Sequence, residues 1–439
     1  MPISDMTLAT IIFVATYAVI VTEKIDRTKV AIAGALIMVL SGVIDQEVAV
    51  ESIDFNTLGL LIGMMILVAI VRRTGVFDHI GFQVAKWTGG RIIPMMAMMA
   101  VVTAVASAFL DNVTTILLVV PVTIALADLL GIPAKPFLIT QILASNIGGA
   151  ATLIGDPPNI LIGSATGLTF LDFLINLGPI IALNLALVIA IWALRFRSMP
   201  EPSPERRAEV IASAETERIN DYPLLRKCLV VLGLTMVGFL LHGALHLEAA
   251  TVALAGAAAL LLVSKMDIHH IVNEVEWPTI FFFGGLFVLV GGIEHVGLLE
   301  EIAAEVVDIT GGDVTLTVIA LLWLAAILSM IVDNIPAVTT LIPLSVAVGR
   351  GLFPELSDMP VEEFVLTPEM LPVWWSLALG ADLGGNGTLV GASANVVGAG
   401  LSERHGERIT FMEFTRQGMP ITLLTLVVST VYVYLVFLL

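Results

Sequence analysis

The chain has 439 residues, of which 58% are hydrophobic and only 13% are charged, and its mean hydropathy is +1.00. This composition excludes a water-soluble globule, because the surface of such a fold would be almost as apolar as its core. The net charge of −18 argues against nucleic acid as a partner. Cys228 is the only cysteine, so an intrachain disulfide and a multi-cysteine metal centre are excluded as well. The sequence therefore predicts an all-α polytopic membrane protein.

The predicted elements follow from hydropathy, since a bilayer core takes about 20 apolar residues per helix. Ten segments are predicted to cross, near 8–23, 28–44, 57–72, 136–165, 173–195, 226–243, 249–264, 279–295, 372–399 and 417–438. Two more apolar stretches, 96–129 and 314–349, are interrupted halfway by polar residues, which favours re-entrant hairpins over simple spans. The first segment has no basic region before it, so we expect a true span rather than a signal peptide.

Lys and Arg are distributed unevenly along this series of segments. If the N-terminus lies outside, every Lys and Arg except Arg350 falls in a segment assigned to the inside. Basic loops stay cytoplasmic whereas translocated loops are depleted of them. We therefore expect a multi-pass protein of the inner (plasma) membrane with both termini outside.

The sequence repeats itself at an offset of 222 residues. The match holds through polar and glycine positions, and after a 14-residue insertion in the second half it continues in a shifted register. The matching runs are Asp111-Asn112 with Asp333-Asn334, Gly148-Gly149 with Gly384-Gly385, Thr152 with Thr388, and Asn159 with Asn395. Chance similarity among apolar residues does not hold one register through such positions, so the chain is predicted to be duplicated.

The duplication predicts the organisation of the chain. The first repeat covers 1–196, with the hairpin 96–129 and a broken helix at 136–165. A polar segment, 197–224, is predicted to be a cytoplasmic linker with a short surface helix. The second repeat covers 225–439, with the hairpin 314–349 and a broken helix at 372–399. Because each repeat has five crossings, an odd number, the second is predicted to be inverted relative to the first, with the binding site at their interface.

Four polar clusters interrupt the apolar background at equivalent positions of the repeats. Glycine pairs and Pro157-Pro158 break helices at membrane depth, where freed backbone groups are tolerated only beside a wet or ion-filled cavity. An ionised Asp there costs a few kcal/mol unless it is paired, and no buried Lys or Arg is predicted as its partner. We therefore expect a proton, a cation or a substrate to bind. The candidate residues are Asp111, Asn112, Thr115, Ser145, Asn146, Gly148, Gly149, Thr152, Asp156, Asn159, Asp333, Asn334, Asp382, Gly384, Gly385, Asn386, Thr388 and Asn395.

These residues supply hard oxygen ligands, which suit Na⁺ or a proton better than soft transition metals. Two Na⁺ sites are predicted, one at Asp111, Asn146 and Asp156 and the other at Asp333 and Asp382. They are not equivalent, because Asn146 occupies the position of Asp382 in the repeat. The alternative is that the aspartates at the helix breaks serve only as N-caps. No cofactor is expected, and the coupling ion is predicted to be H⁺ or Na⁺.

The run SNIGGAATLIGDPPN, from Ser145 to Asn159, and the Asp-Asn hairpin tips resemble one branch of the ion transporter superfamily. That branch holds arsenite/antimonite permeases, the melanosomal P protein and NhaD-type sodium/proton antiporters. More distantly, the chain is similar to citrate and dicarboxylate transporters. The resemblance implies two hairpins, discontinuous helices and an elevator-like transport domain, with polar tips at Asp111, Asn112, Asn146, Asp156, Asp333, Asn334 and Asp382. The Ser-Asn-Thr tips of dicarboxylate carriers are absent here, which argues against a sodium-dicarboxylate carrier.

The leading hypothesis from the sequence is an ion-coupled secondary transporter that exports arsenite or antimonite. As(OH)₃ is uncharged near neutral pH and presents hydroxyls that carboxylates and amides bind. The alternatives are a sodium/proton antiporter that uses the same aspartates, a carrier of organic anions such as citrate, and a passive channel. Enzyme activity is not expected, because the Gly-x-Gly-Asp, Gly-x-Ser-Gly and His-Glu-x-x-His motifs of intramembrane proteases are missing. The expected partners are the lipid bilayer and a small inorganic or organic ion substrate. A homodimer is left open, as is a cytoplasmic ATPase subunit if the chain is an arsenite pump.

Overall fold

The computed structural model describes residues 4–22 and 24–439, and within them the chain is all-helical. The helices of the first repeat and linker are α1 (Asp5–Thr22), α2 (Arg27–Leu40), α3 (Gln46–Glu51), α4 (Phe55–Arg72), α5 (Val76–Trp87), α6 (Ile92–Leu110), α7 (Asn112–Leu130), α8 (Lys135–Gly149), α9 (Pro157–Thr166), α10 (Phe170–Phe196) and α11 (Pro204–Thr216). Those of the second repeat are α12 (Tyr222–Leu241), α13 (Ala249–Ser264), α14 (Ile268–Val272), α15 (Trp277–His295), α16 (Leu298–Ile309), α17 (Val314–Val332), α18 (Asn334–Leu352), α19 (Val361–Phe364), α20 (Leu371–Gly384), α21 (Ser393–Arg404) and α22 (Phe411–Val433).

Ten helices in the described residues are long and apolar enough to cross a membrane, and both arms of each hairpin are among them. Each arm has 19 residues. Two of the predicted crossings correspond to shorter helices, since α2 has 14 residues and α13 has 16. The amphipathic helices α5 and α16 were not predicted. They begin after Gly75 and Gly297, whose φ angles of 73° and 78° turn the chain sharply along the protein surface.

The two broken helices each consist of two half-helices joined by a loop. The predicted segment 136–165 corresponds to α8 and α9 with a break at 150–156, and the segment 372–399 corresponds to α20 and α21 with a break at 385–392. Pro157 stands at the first position of α9, where a missing N–H costs nothing.

The direction of α4 and α13 shows that the second repeat is inverted. Their first turns meet where the Ala250 N–H donates to Asn56 Oδ1 at 3.2 Å. Beyond their last turns, Arg73 pairs with Glu274. The second helix of one repeat therefore runs parallel to the third long helix of the other. In the equivalent contact, α2 packs on α15, and the Thr28 hydroxyl donates to the Pro278 carbonyl near the starts of both helices.

The same packing occurs twice, once for each way of pairing the repeats. A Cβ on Gly63 would lie 2.7 Å from the backbone of Ala253, and one on Gly285 would lie 2.8 Å from the backbone of Ala31. Both contacts relate positions 222 residues apart. Close backbone approach at glycine thus holds α4 against α13 and α2 against α15.

The long helices form two packed groups. The frame consists of α1, α2, α4, α12, α13 and α15. The hairpin bundle consists of α6–α10, α17, α18 and α20–α22. The amphipathic helices α5 and α16 connect the frame to the hairpins, and α11 from the predicted linker packs on α5 and α7. We call the face on which α1 begins the N-terminal face.

Candidate functional site

The tips of the two hairpins are single aspartates with strained backbones. Asp111 has a φ of 80° and Asp333 a φ of 98°, values that cost a non-glycine residue about 1–3 kcal/mol. Each carboxylate caps the following arm, since Asp111 accepts from the Thr114 N–H at 3.0 Å and Asp333 from the Ile335 N–H at 3.1 Å. The capping role is therefore real. Strain retained at equivalent positions of both repeats indicates that the tips do more than cap.

Asp156 connects the two hairpin tips. Its Oδ2 accepts from Asn112 Nδ2 at 2.6 Å and its Oδ1 accepts from Asn334 Nδ2 at 2.9 Å. The side chain is fully buried and makes no cap hydrogen bond to its own helix, α9. A carboxylate in the break of the first repeat thus binds the first residue after the tip of both hairpins.

A chain of asparagine amides extends from this carboxylate into the second repeat. Asn112 also donates to Asn146 Oδ1 at 3.1 Å. Asn146 in turn donates to Asn386 Oδ1 at 3.0 Å and to Asn395 Oδ1 at 2.8 Å. Since each amide donates to the next group, the network fixes the relative position of the two broken helices.

Asparagines at equivalent positions close the two breaks. Asn159 Nδ2 donates to the Thr152 carbonyl at 3.0 Å, and Asn395 Nδ2 donates to the Thr388 carbonyl at 2.9 Å. The two threonine hydroxyls donate to carbonyls in the first arm of their own repeat's hairpin, at 2.5 Å and 2.6 Å. Backbone groups freed by the breaks are therefore satisfied within the protein, as they must be at membrane depth.

The candidate glycines and Ser145 serve close packing. Gly148 and Gly384 lie against the backbone of the first hairpin arms, and a Cβ on Gly384 would lie 2.6 Å from the Ala326 carbonyl oxygen. Gly149 and Gly385 pack in the same way against the opposite side of their own breaks. Ser145 donates to the Asn112 carbonyl at 3.0 Å. These residues bring helix breaks and hairpin tips together without presenting a free ligand atom.

Asp382 has the most unusual environment in the described part of the chain. It is fully buried, and neither carboxylate oxygen has a hydrogen-bond partner. The Asn159 side chain is adjacent to it, and Asn159 Oδ1 is also unpartnered. Asn112 Oδ1 and Thr115 Oγ1 share this property. The unsatisfied side-chain atoms of the candidate site are thus all oxygens that accept hydrogen bonds or coordinate hard cations.

Asp333 has a basic partner, and the prediction that no Lys or Arg would reach the buried carboxylates is wrong here. Arg27 Nη1 lies 2.9 Å from Asp333 Oδ2, which also accepts from Ser393 Oγ at 2.8 Å. Arg27 is the first residue of α2, and a loop position in the sequence gave no sign that it reaches a tip 306 residues later. Ser393 was missed as well, because the serine at the start of α21 has no polar counterpart in the first repeat.

The predicted Na⁺ sites are only partly assembled by the structure. Asn146 and Asp156 are joined through Asn112, but the Asp111 carboxylate bonds to Thr114 and not to either of them. Of all the candidate residues, only Asp111 is not buried. In the second predicted site, Asp333 is bonded to Arg27 and Ser393, whereas Asp382 has no partner. Within the described ranges, no three Asp, Glu, His or Cys side chains form a metal cluster.

The fold and the bonded tips can be compared with known proteins. A model of the citrate transporter family (CitMHS) matches residues 17–380. The chain belongs to this family. The predicted resemblance to the ion transporter superfamily and the predicted transporter class are therefore confirmed, and the protein is a multi-pass membrane transporter.

The relatives of this family member carry little information on substrate. An uncharacterized transporter of Mycobacterium tuberculosis is 41% identical over 432 residues, which cover 98% of each chain. A 46 kDa membrane protein of Mycobacterium leprae is 39% identical with the same coverage. The human P protein is 35% identical over 98% of this chain and 60% of its own length. Similarity across nearly the whole chain shows that the transporter class applies to all of it.

One solved structure supports the fold. The YdaH transporter of Alcanivorax borkumensis superposes with a TM-score of 0.57, covering 88% of this chain and 86% of that one. Its sequence identity is 15%, so the similarity concerns the architecture alone. The predicted fold class, an all-α membrane protein of two inverted repeats, is confirmed.

Proposed function

We propose that this transporter exchanges Na⁺ for H⁺ across the plasma membrane, with Asp382 as the group that binds either ion. The observation behind the proposal is a fully buried carboxylate without a single hydrogen-bond donor. Burying an unpaired carboxylate is costly, and a bound proton or cation relieves the cost. Because one carboxylate cannot hold both ions at once, competition at Asp382 would produce exchange rather than co-transport.

Na⁺ fits the chemistry of the unpartnered atoms. It is a hard cation that takes oxygen ligands, as Ca²⁺ and Mg²⁺ do. Asp382 provides two carboxylate oxygens, and the neighbouring Asn159 provides an amide oxygen. The side-chain oxygens of Asn112 and Thr115 are further donors of the same type. No nitrogen or sulfur atom at the candidate site is offered to a softer metal.

Asp156 has a different role in this proposal. Both of its oxygens accept from asparagine amides, so its negative charge is stabilised by the protein itself. We infer that Asp156 stays ionised and holds the two hairpin tips together, while the charge on Asp382 is balanced by the transported ion. The two carboxylates then divide structure and transport between them.

An organic anion is poorly matched to this site. Recognition of a carboxylate requires hydrogen-bond donors. The amide nitrogens of Asn112, Asn146 and Asn334 already donate to protein oxygens. Arg27 is likewise engaged by Asp333. An incoming polyanion would meet several carboxylates and few free donors.

Arsenite remains the second candidate for one reason. The free atoms at the site are acceptors, and As(OH)₃ offers three O–H donors without a negative charge. The same oxygens that suit Na⁺ therefore suit a small neutral hydroxide, and the two candidates are separated by experiment.

The test of the exchange proposal is Na⁺-driven proton flux in proteoliposomes with a pH-sensitive dye inside. We expect the natural protein to move protons when Na⁺ is added, and Asp382→Asn to fall to the level of empty liposomes. Asp308→Asn removes an exposed carboxylate on α16 and should leave the flux unchanged. Exchange by Asp382→Asn at the natural rate would contradict the proposal. Arsenite uptake into inverted vesicles, lost in the same variant without any Na⁺ effect, would favour the second candidate.

A further inference from the structure

The contact between Arg27 and Asp333 joins the frame to the hairpin bundle. Arg27 belongs to α2, which packs on α1 and α15 within the frame. Asp333 is the tip residue between α17 and α18 in the hairpin bundle. The Arg27 guanidinium carbon lies 4.9 Å from the centre of the Phe282 ring of α15. The arginine is thus positioned by the frame and presented to a carboxylate of the other group.

Arg27 occupies the place that a bound cation would take at Asp333. The carboxylate is buried, with 7% of its side chain exposed. Its Oδ2 receives Arg27 and Ser393, and its Oδ1 receives the Ile335 N–H. Both oxygens are therefore satisfied, and the negative charge is balanced by a positive charge of the protein. This is the opposite of Asp382, which has no partner at all.

The first repeat lacks this device. The position equivalent to Arg27, 222 residues later, is Ala249, and the position equivalent to Ser393 is Pro157. Asp111 is accordingly bonded only to Thr114 of its own hairpin. A general requirement of the hairpin fold would appear in both repeats, so the arginine answers a need of the second tip alone.

The second tip lies near the face opposite the N-terminal face. Arg27 begins α2 at that face, and Tyr17, in the last turns of α1, bonds through its hydroxyl to Thr340 at 3.0 Å. On the N-terminal face, a cavity of about 1350 Å³ separates α15 and α16 from α9 and α18, with Glu294 and Ala347 among its lining residues. Space for the second hairpin to move therefore exists on the N-terminal side, and such a movement carries Asp333 away from Arg27.

From these observations we infer that Arg27 is a built-in counter-cation that replaces Na⁺ at Asp333 in this conformation. When the second hairpin moves toward the N-terminal face, Asp333 leaves Arg27 and becomes free to bind Na⁺. When it returns, Arg27 displaces the ion toward the opposite face. The inference rests on the cation exchange proposed above and adds the residue that makes ion affinity depend on conformation, as coupled transport requires.

The experiment measures Na⁺ binding to the purified full-length protein in detergent, independently of transport. The melting temperature is followed during a titration with NaCl, with choline chloride replacing it to keep ionic strength constant. The variants are Arg27→Gln, Arg27→Lys, Asp333→Asn and the double variant Arg27→Gln with Asp333→Asn. Lys29→Gln is the matched control, because Lys29 is an exposed cation in the same turn of α2.

We expect Arg27→Gln to lower the NaCl concentration of half-maximal stabilisation about tenfold or more, since a competing charge beside the carboxylate is removed. Arg27→Lys should keep most of the natural value, because the charge is retained. In the Asp333→Asn background, Arg27→Gln should cause no further shift. In proteoliposomes, Arg27→Gln should slow exchange because Na⁺ is no longer displaced, and Lys29→Gln should behave as the natural protein does.

Two results would overturn parts of this account, and they differ. If Arg27→Gln lowers the melting temperature but leaves the NaCl midpoint unchanged, Arg27 is a structural tether and the inference is wrong. If the natural protein shows no response to NaCl that Asp382→Asn removes, the exchange proposal itself fails, and the Arg27 role fails with it.

Discussion

The tips of the first and second hairpins have the same backbone and different partners. Both are aspartates with a positive φ, and both cap the following arm. Asp333 is bonded to Arg27 of the frame and Ser393 of the second broken helix, whereas Asp111 bonds only to Thr114. Their neighbours Asn112 and Asn334 converge on one residue, Asp156, which the second repeat does not possess.

The difference shows that duplication preserved the packing of the two repeats but not their charges. Glycine contacts and the bonds that close the breaks occur twice with nearly equal distances. The carboxylates do not follow the repeat, since Asp156 faces no equivalent and Asp382 occupies the position of Asn146. An exchanger with two equivalent halves would bind ions equally on both sides, and the unequal charges remove that equality.

The equivalence of the packing is tested by Gly148→Ala and Gly384→Ala, for which we expect the largest effects. Each added Cβ meets the backbone of a hairpin arm, at Ala104 and Ala326 respectively. Backbone cannot move aside as a side chain does, so each variant should lose about 3 kcal/mol or more of stability. Thermal unfolding in detergent and the yield of folded protein measure the loss.

The control for this pair is Gly284→Ala, where a Cβ would meet nothing within 4 Å. It should fold and melt as the natural protein does. If only one of the two glycine variants is destabilised, the repeats are not equivalent in their packing and the comparison fails at its first step.

The inequality of the two breaks is tested by Asn159→Ala and Asn395→Ala. Asn395 donates to the carbonyls of Gly385 and Thr388 and accepts from Asn146, so its removal should cost about 1–3 kcal/mol through unpaired buried groups. Asn159 has a free Oδ1 beside Asp382, so its removal should weaken Na⁺ binding more than it lowers stability. NaCl titration of the melting temperature measures both quantities. Equal effects of the two variants on the NaCl midpoint would contradict the assignment.

The smallest effect is expected for Ala249→Arg, which places an arginine at the position equivalent to Arg27. In the opposite conformation, the inverted symmetry brings the first tip toward the start of α13, and the new arginine would hold Asp111 there. A partly exposed ion pair contributes about 0.2–1 kcal/mol, so exchange should slow by about two- to fivefold. Ala249→Gln has similar bulk without the charge and serves as the control in the same flux assay. Equal rates in the two variants would show that the first tip does not approach α13.

Much of the fold could be predicted because lipid leaves few choices. Spans follow from apolar length, and the hairpins and breaks follow from polar or glycine residues that repeat at one offset. The site was predicted to the extent that its residues interrupt apolar helices, as Asp111, Asp156 and Asp333 do. Arg27 could not be predicted in this way, because an arginine at the edge of a span is ordinary and only its distance from Asp333 gives it meaning.

By itself the sequence determined that the chain is a duplicated membrane protein with carboxylates at its helix breaks, since these properties depend on residue type and order along one segment. Only the tertiary structure decided how the carboxylates are used: Asp156 bonded to both tips, Asp333 to Arg27 and Asp382 to nothing. The charge state and ion affinity of a buried carboxylate depend on atoms within a few ångströms. Here those atoms come from segments hundreds of residues away, and no local pattern records which of them will meet.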